Sequence, residues 1–294
     1  MRVSPFFFIA GKKICERVPR FFSYWLAQGI AQIYYLFAAK DKQLVRTNMD
    51  VIFGRTLSAT KKEQNVKAVF ANFAWYLVDF FAFSRVDGAF IKKYISVEGR
   101  ANLDAVQEQN KGIIILSAHL GNWELGGIVA SKVGYPMHVI ALPHVHQQVN
   151  EFFNNQRGLG EVKIIPLGTA VRRCIKVLKE RGIVAFLGDR EFGDNGVASR
   201  LFGQPVLLPP GPAYFAIKTD ACIIPSFMVR ERKYYYRLVF EKAISIRKSS
   251  GEVKSLEEII AEYAPVMERY IRDYATQWYM FSQYFQDKAL YQQR

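Results

Sequence analysis

Cysteine is scarce in this chain. Cys15, Cys174 and Cys222 are far apart, odd in number and in no metal-ligand spacing. That argues against a disulfide framework and against a zinc site, and it fits a reducing compartment. Acidic residues are also few: 26 Asp and Glu stand against 40 Lys and Arg, leaving a formal net charge of +14. There is no G-x-S-x-G elbow and no H-E-x-x-H helix, so neither that serine nucleophile nor that metal arrangement is available. Internal repeats, low-complexity tracts and a clear linker are missing as well. The first apolar stretch is not followed by a small-residue cleavage site, which argues against a cleaved signal peptide.

What is present is cationic and aromatic. A charge of +14 calls for an anionic partner: nucleic acid, an anionic membrane surface, or an acidic or phosphorylated substrate. The 23 Phe, 16 Tyr and 4 Trp include many near the N-terminus, mixed with Arg and Lys. That mixture suits a lipid headgroup interface. A single-stranded nucleic-acid groove uses the same residue types. Without any nucleic-acid-binding motif, however, no nucleic-acid partner is expected.

Phe21 to Ala39 carries no charge and is long enough to span a bilayer. Gln28, Gln32 and Ser23 dilute it. Basic residues on either side nearly balance, so its orientation is open. A second stretch, Phe70 to Phe83, is aromatic and holds one acid, Asp79, which makes a span improbable. Both are read as membrane-engaging helices, the first inserted or interfacial; a buried core helix is the alternative for each.

From about residue 94 the pattern changes. Short β-branched runs at Tyr94–Val97, Gly112–Ser117, Met137–Ala141, Val162–Ile165, Ile183–Leu187, Ala221–Val229 and Tyr234–Phe240 read as strands. Helices are expected at Asn122–Lys132, Thr169–Arg181, Pro212–Thr219 and Ser255–Tyr274. Thr169 is the expected cap of the second, and Ser255 with Glu258 makes a capping-box spacing in the last. Alternating strands and helices predict an α/β fold with a central, mostly parallel sheet flanked by helices. The last two strands are separated by a short basic turn and predict an antiparallel hairpin.

Chemistry concentrates in IILSAHLGNWE. His119 follows a buried-type strand, and open α/β sheets form sites at the carboxyl ends of strands. Asn122 can cap the next helix, which puts Glu124 in its first turn. Residues five apart on a continuous helix point about 140° apart. His119 and Glu124 can therefore meet only if the histidine sits in the preceding turn, for which Gly121 is suited. Such a pair would serve as a base and the carboxylate that orients it. On the motif alone, a core histidine beside a surface glutamate is the favoured reading. With no protein nucleophile evident, a base would imply direct transfer to a substrate hydroxyl.

H-x4-E at a strand end, after a membrane-seeking N-terminus, resembles the bacterial lipid A biosynthesis acyltransferases, within the wider lysophospholipid acyltransferase superfamily. The resemblance extends along residues 20 to 285. Asn48 lies in VRTNMDVIFG, Arg157 in IALPHVHQQVNEFFNNQRGLG, and Asp189 in FLGDREFGDNGVASRLFGQPVLLPPGPAYFAIKTDACIIP. YIRDYATQW supplies Ile271, Arg272, Gln277 and Trp278. It departs from the family at Arg190-Glu191, Ser199-Arg200-Leu201, Ala275-Thr276 and Ser282-Gln283-Tyr284. These departures leave the acceptor open between a lipid A precursor, another glycolipid, an aminolipid and a lysophospholipid.

The resemblance implies an O-acyltransferase on the cytoplasmic side of the bacterial inner membrane. It implies no cofactor: an acyl carrier protein or coenzyme A thioester is the co-substrate and donor, and a membrane lipid is the acceptor. It implies His119 as general base with Glu124 as partner. Asn122, Arg157, Asp189 and Arg190 are the expected substrate-binding residues, with Arg157 on an oxyanion or phosphate and Asp189 orienting substrate or Arg190. Residues 1–45 are expected to form the anchor or interfacial helix and 46–294 the acyltransferase domain. A non-catalytic lipid-binding protein and a thioesterase on the same scaffold are the competing expectations. Arg172, Arg173, Lys176 and Lys179 read as a solvated helix face, and His138, His144 and His146 as structural.

Overall fold

The computed structural model of the chain describes residues 5–141, 146–191 and 195–285; His144 lies outside them. Four helices come first: α1 (Pro5–Arg17), α2 (Arg20–Phe37), α3 (Ala39–Phe53) and α4 (Ala59–Phe81). A short α5 (Gly88–Tyr94) leads into β1 (Ile95–Glu98). Helices and strands then alternate through α6 (Arg100–Glu108), β2 (Ile113–Ser117), α7 (Trp123–Lys132), β3 (Met137–Ala141), α8 (Gln147–Gly158), β4 (Lys163–Pro166), α9 (Ala170–Lys179) and β5 (Ile183–Leu187). The chain continues with β6 (Val197–Leu201), β7 (Gln204–Leu208), α10 (Gly211–Thr219), β8 (Cys222–Arg232), β9 (Tyr235–Phe240) and α11 (Leu256–Asp273).

Seven strands make one sheet in the order β1-β9-β8-β2-β5-β3-β4, and β6 and β7 form a separate antiparallel pair. Every neighbouring pair in the large sheet is parallel except β8–β9, the expected hairpin. β2 lies centrally and is buried at all its positions. Its unbroken Ile-Ile-Ile-Leu run reflects a parallel strand covered on both faces, where polar alternation would strand a polar side chain in a core. Ile114 and Leu116 join one apolar core, and Ile113 and Ile115 the other, across the sheet.

The sequence-based elements from β1 onward match to within a few residues, apart from β8, which runs three residues further, to Arg232. The β6–β7 pair, α6 and α8 go beyond the sequence reading. Ser255 forms the full capping box with Glu258. Thr169 does not cap α9: its hydroxyl donates to the Pro166 carbonyl instead. Arg172, Arg173, Lys176 and Lys179 are all exposed, as a solvated face should be.

The N-terminal half differs more. The uncharged stretch forms α2, and no helix among the described residues is long and apolar enough to cross a membrane. α2 is two-faced. Tyr24 and Ala31 are buried, whereas Phe21, Trp25, Ile33, Leu36 and Phe37 are 63–80% exposed. The second stretch is the C-terminal half of α4 and is largely core: Phe70, Tyr76, Val78, Phe80 and Phe81 are all buried. Its acid explains why. Asp79 accepts from Arg20 at 2.8 Å, from the Tyr24 hydroxyl at 2.6 Å and from Tyr236, and Arg230 lies 3.5 Å away. A buried carboxylate is tolerable only when paired and hydrogen-bonded in this way. Removing one partner of such a cluster costs about 3–5 kcal/mol. This cluster ties α2 and α4 to β8 and β9, so the N-terminal helices belong to the core of the fold.

Candidate active site

The site begins with strand register. β2 and β5 run parallel with Ser117 opposite Leu187, and Gly188 N–H continues the ladder to the Ser117 carbonyl at 2.8 Å. Two residues beyond that pair lie His119 and Asp189. The Asp189 Oδ1 lies 2.8 Å from His119 Nδ1, and Oδ2 accepts the His119 backbone N–H at 3.0 Å. Trp278 donates its indole N–H to Oδ2 at 2.9 Å. An ionised carboxylate only accepts, so Nδ1 carries the proton in this pairing and Nε2 is the basic nitrogen.

Asp189 is fully buried. Burial alone would raise its pKa. The charge of His119 and the bonds from its ring, from Trp278 and from the His119 amide hold it below its ordinary value.

The turn before α7 has the expected form. Gly121 has φ +65°, and a Cβ there would sit 2.0 Å from the Met228 carbonyl oxygen, so only glycine fits. Asn122 caps α7 by accepting the Leu125 N–H at 3.1 Å. It is fully buried and is not among the described residues lining the cavity, so it shapes the turn instead of facing substrate.

The carboxylate on the histidine is therefore Asp189, where Glu124 was expected. Glu124, on the first turn of α7, is held by Arg157 of α8, which donates from Nε at 2.9 Å and from Nη2 at 2.5 Å. Burial works against the Arg157 charge, but Glu124 more than offsets it and leaves the guanidinium pKa raised. Arg157, expected on an oxyanion or phosphate, lines the cavity and is the cation of this ion pair. Asp189 was expected to orient substrate or Arg190 and instead grips His119.

His119, Glu124, Arg157 and Arg190 share one cavity of about 500 Å³. That is the size range of small-molecule sites. Its polar lining includes His119, Arg190 and Glu191 past the carboxyl ends of β2 and β5. Its apolar part runs beneath the sheet, between Ile115, Ala185, Met228 and Phe240 on the strand side and Gly126, Gly127 and Ala130 of α7. Arg190 also donates from Nη2 toward the Met280 sulfur at 3.1 Å.

Two further residues matter and lay outside the candidate set. Tyr76 of α4 lines the cavity and stacks on Trp123 at 4.7 Å. Burial first, then the Glu124 charge, push its pKa well above the usual phenol value, so it stays protonated. Trp278 stood in the sequence only as part of a Gln-Trp pair; nothing local ties it to Asp189. Of the remaining histidines, His138 bonds the Ile183 carbonyl and has its pKa lowered by burial, and His146 only precedes α8. Among the described residues no group of His, Cys, Asp and Glu could hold a metal.

Comparison with known proteins agrees with the resemblance read from the sequence. The profile of the family described as bacterial lipid A biosynthesis acyltransferase matches residues 2–287. The phosphatidylinositol mannoside acyltransferase of Mycolicibacterium smegmatis is 22% identical over 285 residues, covering 95% of this chain and 90% of that protein. The lipid A biosynthesis palmitoleoyltransferase of Escherichia coli K12 is 27% identical over 210 residues, 69% of this chain and 66% of that one. The crystal structure of the 1-acyl-sn-glycerophosphate acyltransferase of Thermotoga maritima aligns with a TM-score of 0.41 at 14% identity, over 87% of this chain and 99% of that one. With its family profile matched over nearly its whole length, this chain is an acyltransferase and belongs to the bacterial lipid A biosynthesis acyltransferase family.

Proposed function

We propose that the protein is a membrane-associated O-acyltransferase. It moves a fatty acyl chain from a thioester, on acyl carrier protein or coenzyme A, to a hydroxyl of a lipid A precursor or related glycolipid. The observation that carries this reading is a histidine–aspartate pair whose histidine lines a largely apolar cavity of about 500 Å³. A base beside hydrocarbon-sized space is what acyl transfer to a hydroxyl requires.

Nε2 of His119 takes the proton of the acceptor hydroxyl, while Nδ1–H stays bonded to Asp189, which stabilises the imidazolium. The oxygen attacks the thioester carbonyl and gives a tetrahedral oxyanion. Tyr76, Arg157 and the first turn of α7 line the same cavity and are the proposed donors to it. Collapse breaks the C–S bond, and the departing thiolate takes the proton from the imidazolium. The Glu124–Arg157 pair, its side chains 11% and 13% exposed, orients the acceptor in the cavity. Lipid A, mannosylated lipids and both donor types are anionic, which gives the charge of +14 a use.

Membrane association rests on the exposed apolar side of α1 and α2, with Lys13, Arg17 and Lys40 exposed beside it. Such a surface lies in the interface plane. The catalytic cavity then works on the cytoplasmic side of the inner membrane.

The test combines lipid mass spectrometry on cells with and without the protein and purified His119→Ala. A lipid gaining the mass of one acyl chain only when the wild-type protein is present supports the reading and identifies acceptor and chain. Normal turnover by a folded His119→Ala protein sinks it. Free fatty acid with no lipid product points to a thioesterase.

A further inference from the structure

We propose that Trp278 is a positioning residue for the base: its indole N–H fixes the Asp189 carboxylate, which fixes the His119 ring. The inference rests on His119 acting as the base in acyl transfer. Trp278 is not among the described residues lining the cavity, so it acts through Asp189 and not on substrate.

The geometry is over-determined in a way that core packing does not need. Asp189 has no exposed surface and receives three donors, two from His119 itself. The third comes from a residue 89 positions along the chain. Without it, among the described residues, Oδ2 keeps only the His119 amide, and every remaining bond to the carboxylate comes from His119 itself.

The backbone around Trp278 is pinned to the same loop. Leu120 and Trp278 form an antiparallel bridge, the Tyr279 N–H donates to the His119 carbonyl at 3.0 Å, and the Gly121 N–H donates to the Gln277 carbonyl at 2.9 Å. Gln277 exchanges two side-chain bonds of 2.8 Å with the Arg230 main chain on β8. The indole itself is wedged against Tyr284 and Phe285. Base, carboxylate and third donor therefore move as one unit, and the C-terminal segment becomes part of the catalytic apparatus.

Removing the indole N–H leaves more negative charge on the carboxylate facing His119. The imidazolium is then favoured over the neutral base, and the acid limb of the pH–rate profile moves to higher pH. The other ionisable groups around the imidazole are Tyr76 on α4, Glu124 on α7, Arg157 on α8, Arg190 and Glu191 after β5, and Tyr279; all are retained.

The experiment measures kcat and KM against pH, with acyl thioester and lipid acceptor in detergent micelles, for the wild-type protein, Trp278→Phe and His119→Ala. A fourth variant carries benzothienylalanine at position 278, which keeps the bicyclic shape and replaces N–H by sulfur. The expected result is about a tenfold fall in kcat, KM unchanged, and an acid limb moved upward in both position-278 variants. If Trp278→Phe fails to fold, the isosteric variant decides. A folded isosteric variant with wild-type kcat and pH profile, alongside an inactive His119→Ala, overturns the proposal and leaves the acyl-transfer reading standing. An active His119→Ala instead overturns the reading beneath it.

Discussion

At the residue scale, the chemistry turns on which carboxylate meets His119. Asp189 sits 2.8 Å from Nδ1, fully buried, while Glu124 is neutralised by Arg157. Asp189→Asn should therefore cut turnover by about 10²- to 10⁴-fold, with the lipid and thioester KM values little changed. An unaffected kcat would show that the carboxylate is dispensable. The same residue sets a pH dependence of stability. Its folded pKa lies below the ordinary 3.8, so the ionised carboxylate contributes stability that is fully present above 3.8 and is lost as pH falls through the folded value. The stability gap between wild type and Asp189→Asn should shrink on acidification below 3.8; denaturant titrations across that range measure it.

At the element scale, α7 has two tasks. Its first turn supplies Glu124 and the dipole end near His119, and its middle lines the apolar part of the cavity through Gly126, Gly127 and Ala130. A Cβ on Gly126 would meet Met228 at 3.0 Å, whereas one on Gly127 meets only Val162, at 3.9 Å. Gly127 is thus a position where a side chain can enter the cavity without displacing the sheet. Gly127→Leu should shift transfer toward shorter acyl chains, read by competing thioesters of different length. The helix itself should gain up to about 1 kcal/mol in propensity. An unchanged chain-length distribution would place the acyl chain elsewhere.

On the scale of the whole molecule, α1 and α2 present apolar side chains to solvent although α2 is rooted in the core through Tyr24 and Arg20. A helix buried on one side and exposed and apolar on the other is suited to lie on a bilayer surface. Replacing Trp25, Leu36 and Phe37 by Ser removes side chains that are 66%, 70% and 80% exposed, so folding should be preserved. Sedimentation with anionic vesicles should weaken by at least about tenfold, and raising salt should weaken the wild-type protein further as its charge is screened. Undiminished sedimentation of the triple variant would remove this face from membrane binding.

The sequence by itself determined the parallel α/β core, the turn at Gly121, the cap at Asn122 and the position of His119 at a strand end. All of these rest on periodicity or spacing within a dozen residues, where local sterics and hydrogen bonding decide. The family was legible because several weak blocks occur in one order. The tertiary structure alone decided that Asp189 pairs with His119, because that depends on β2 and β5 lying side by side in register, 70 residues apart. It also placed Trp278 on Asp189 and buried α4 around Asp79. An aromatic helix reads the same whether lipid or protein covers it, and only the burial of Arg20 and Arg230 beside that acid shows which does.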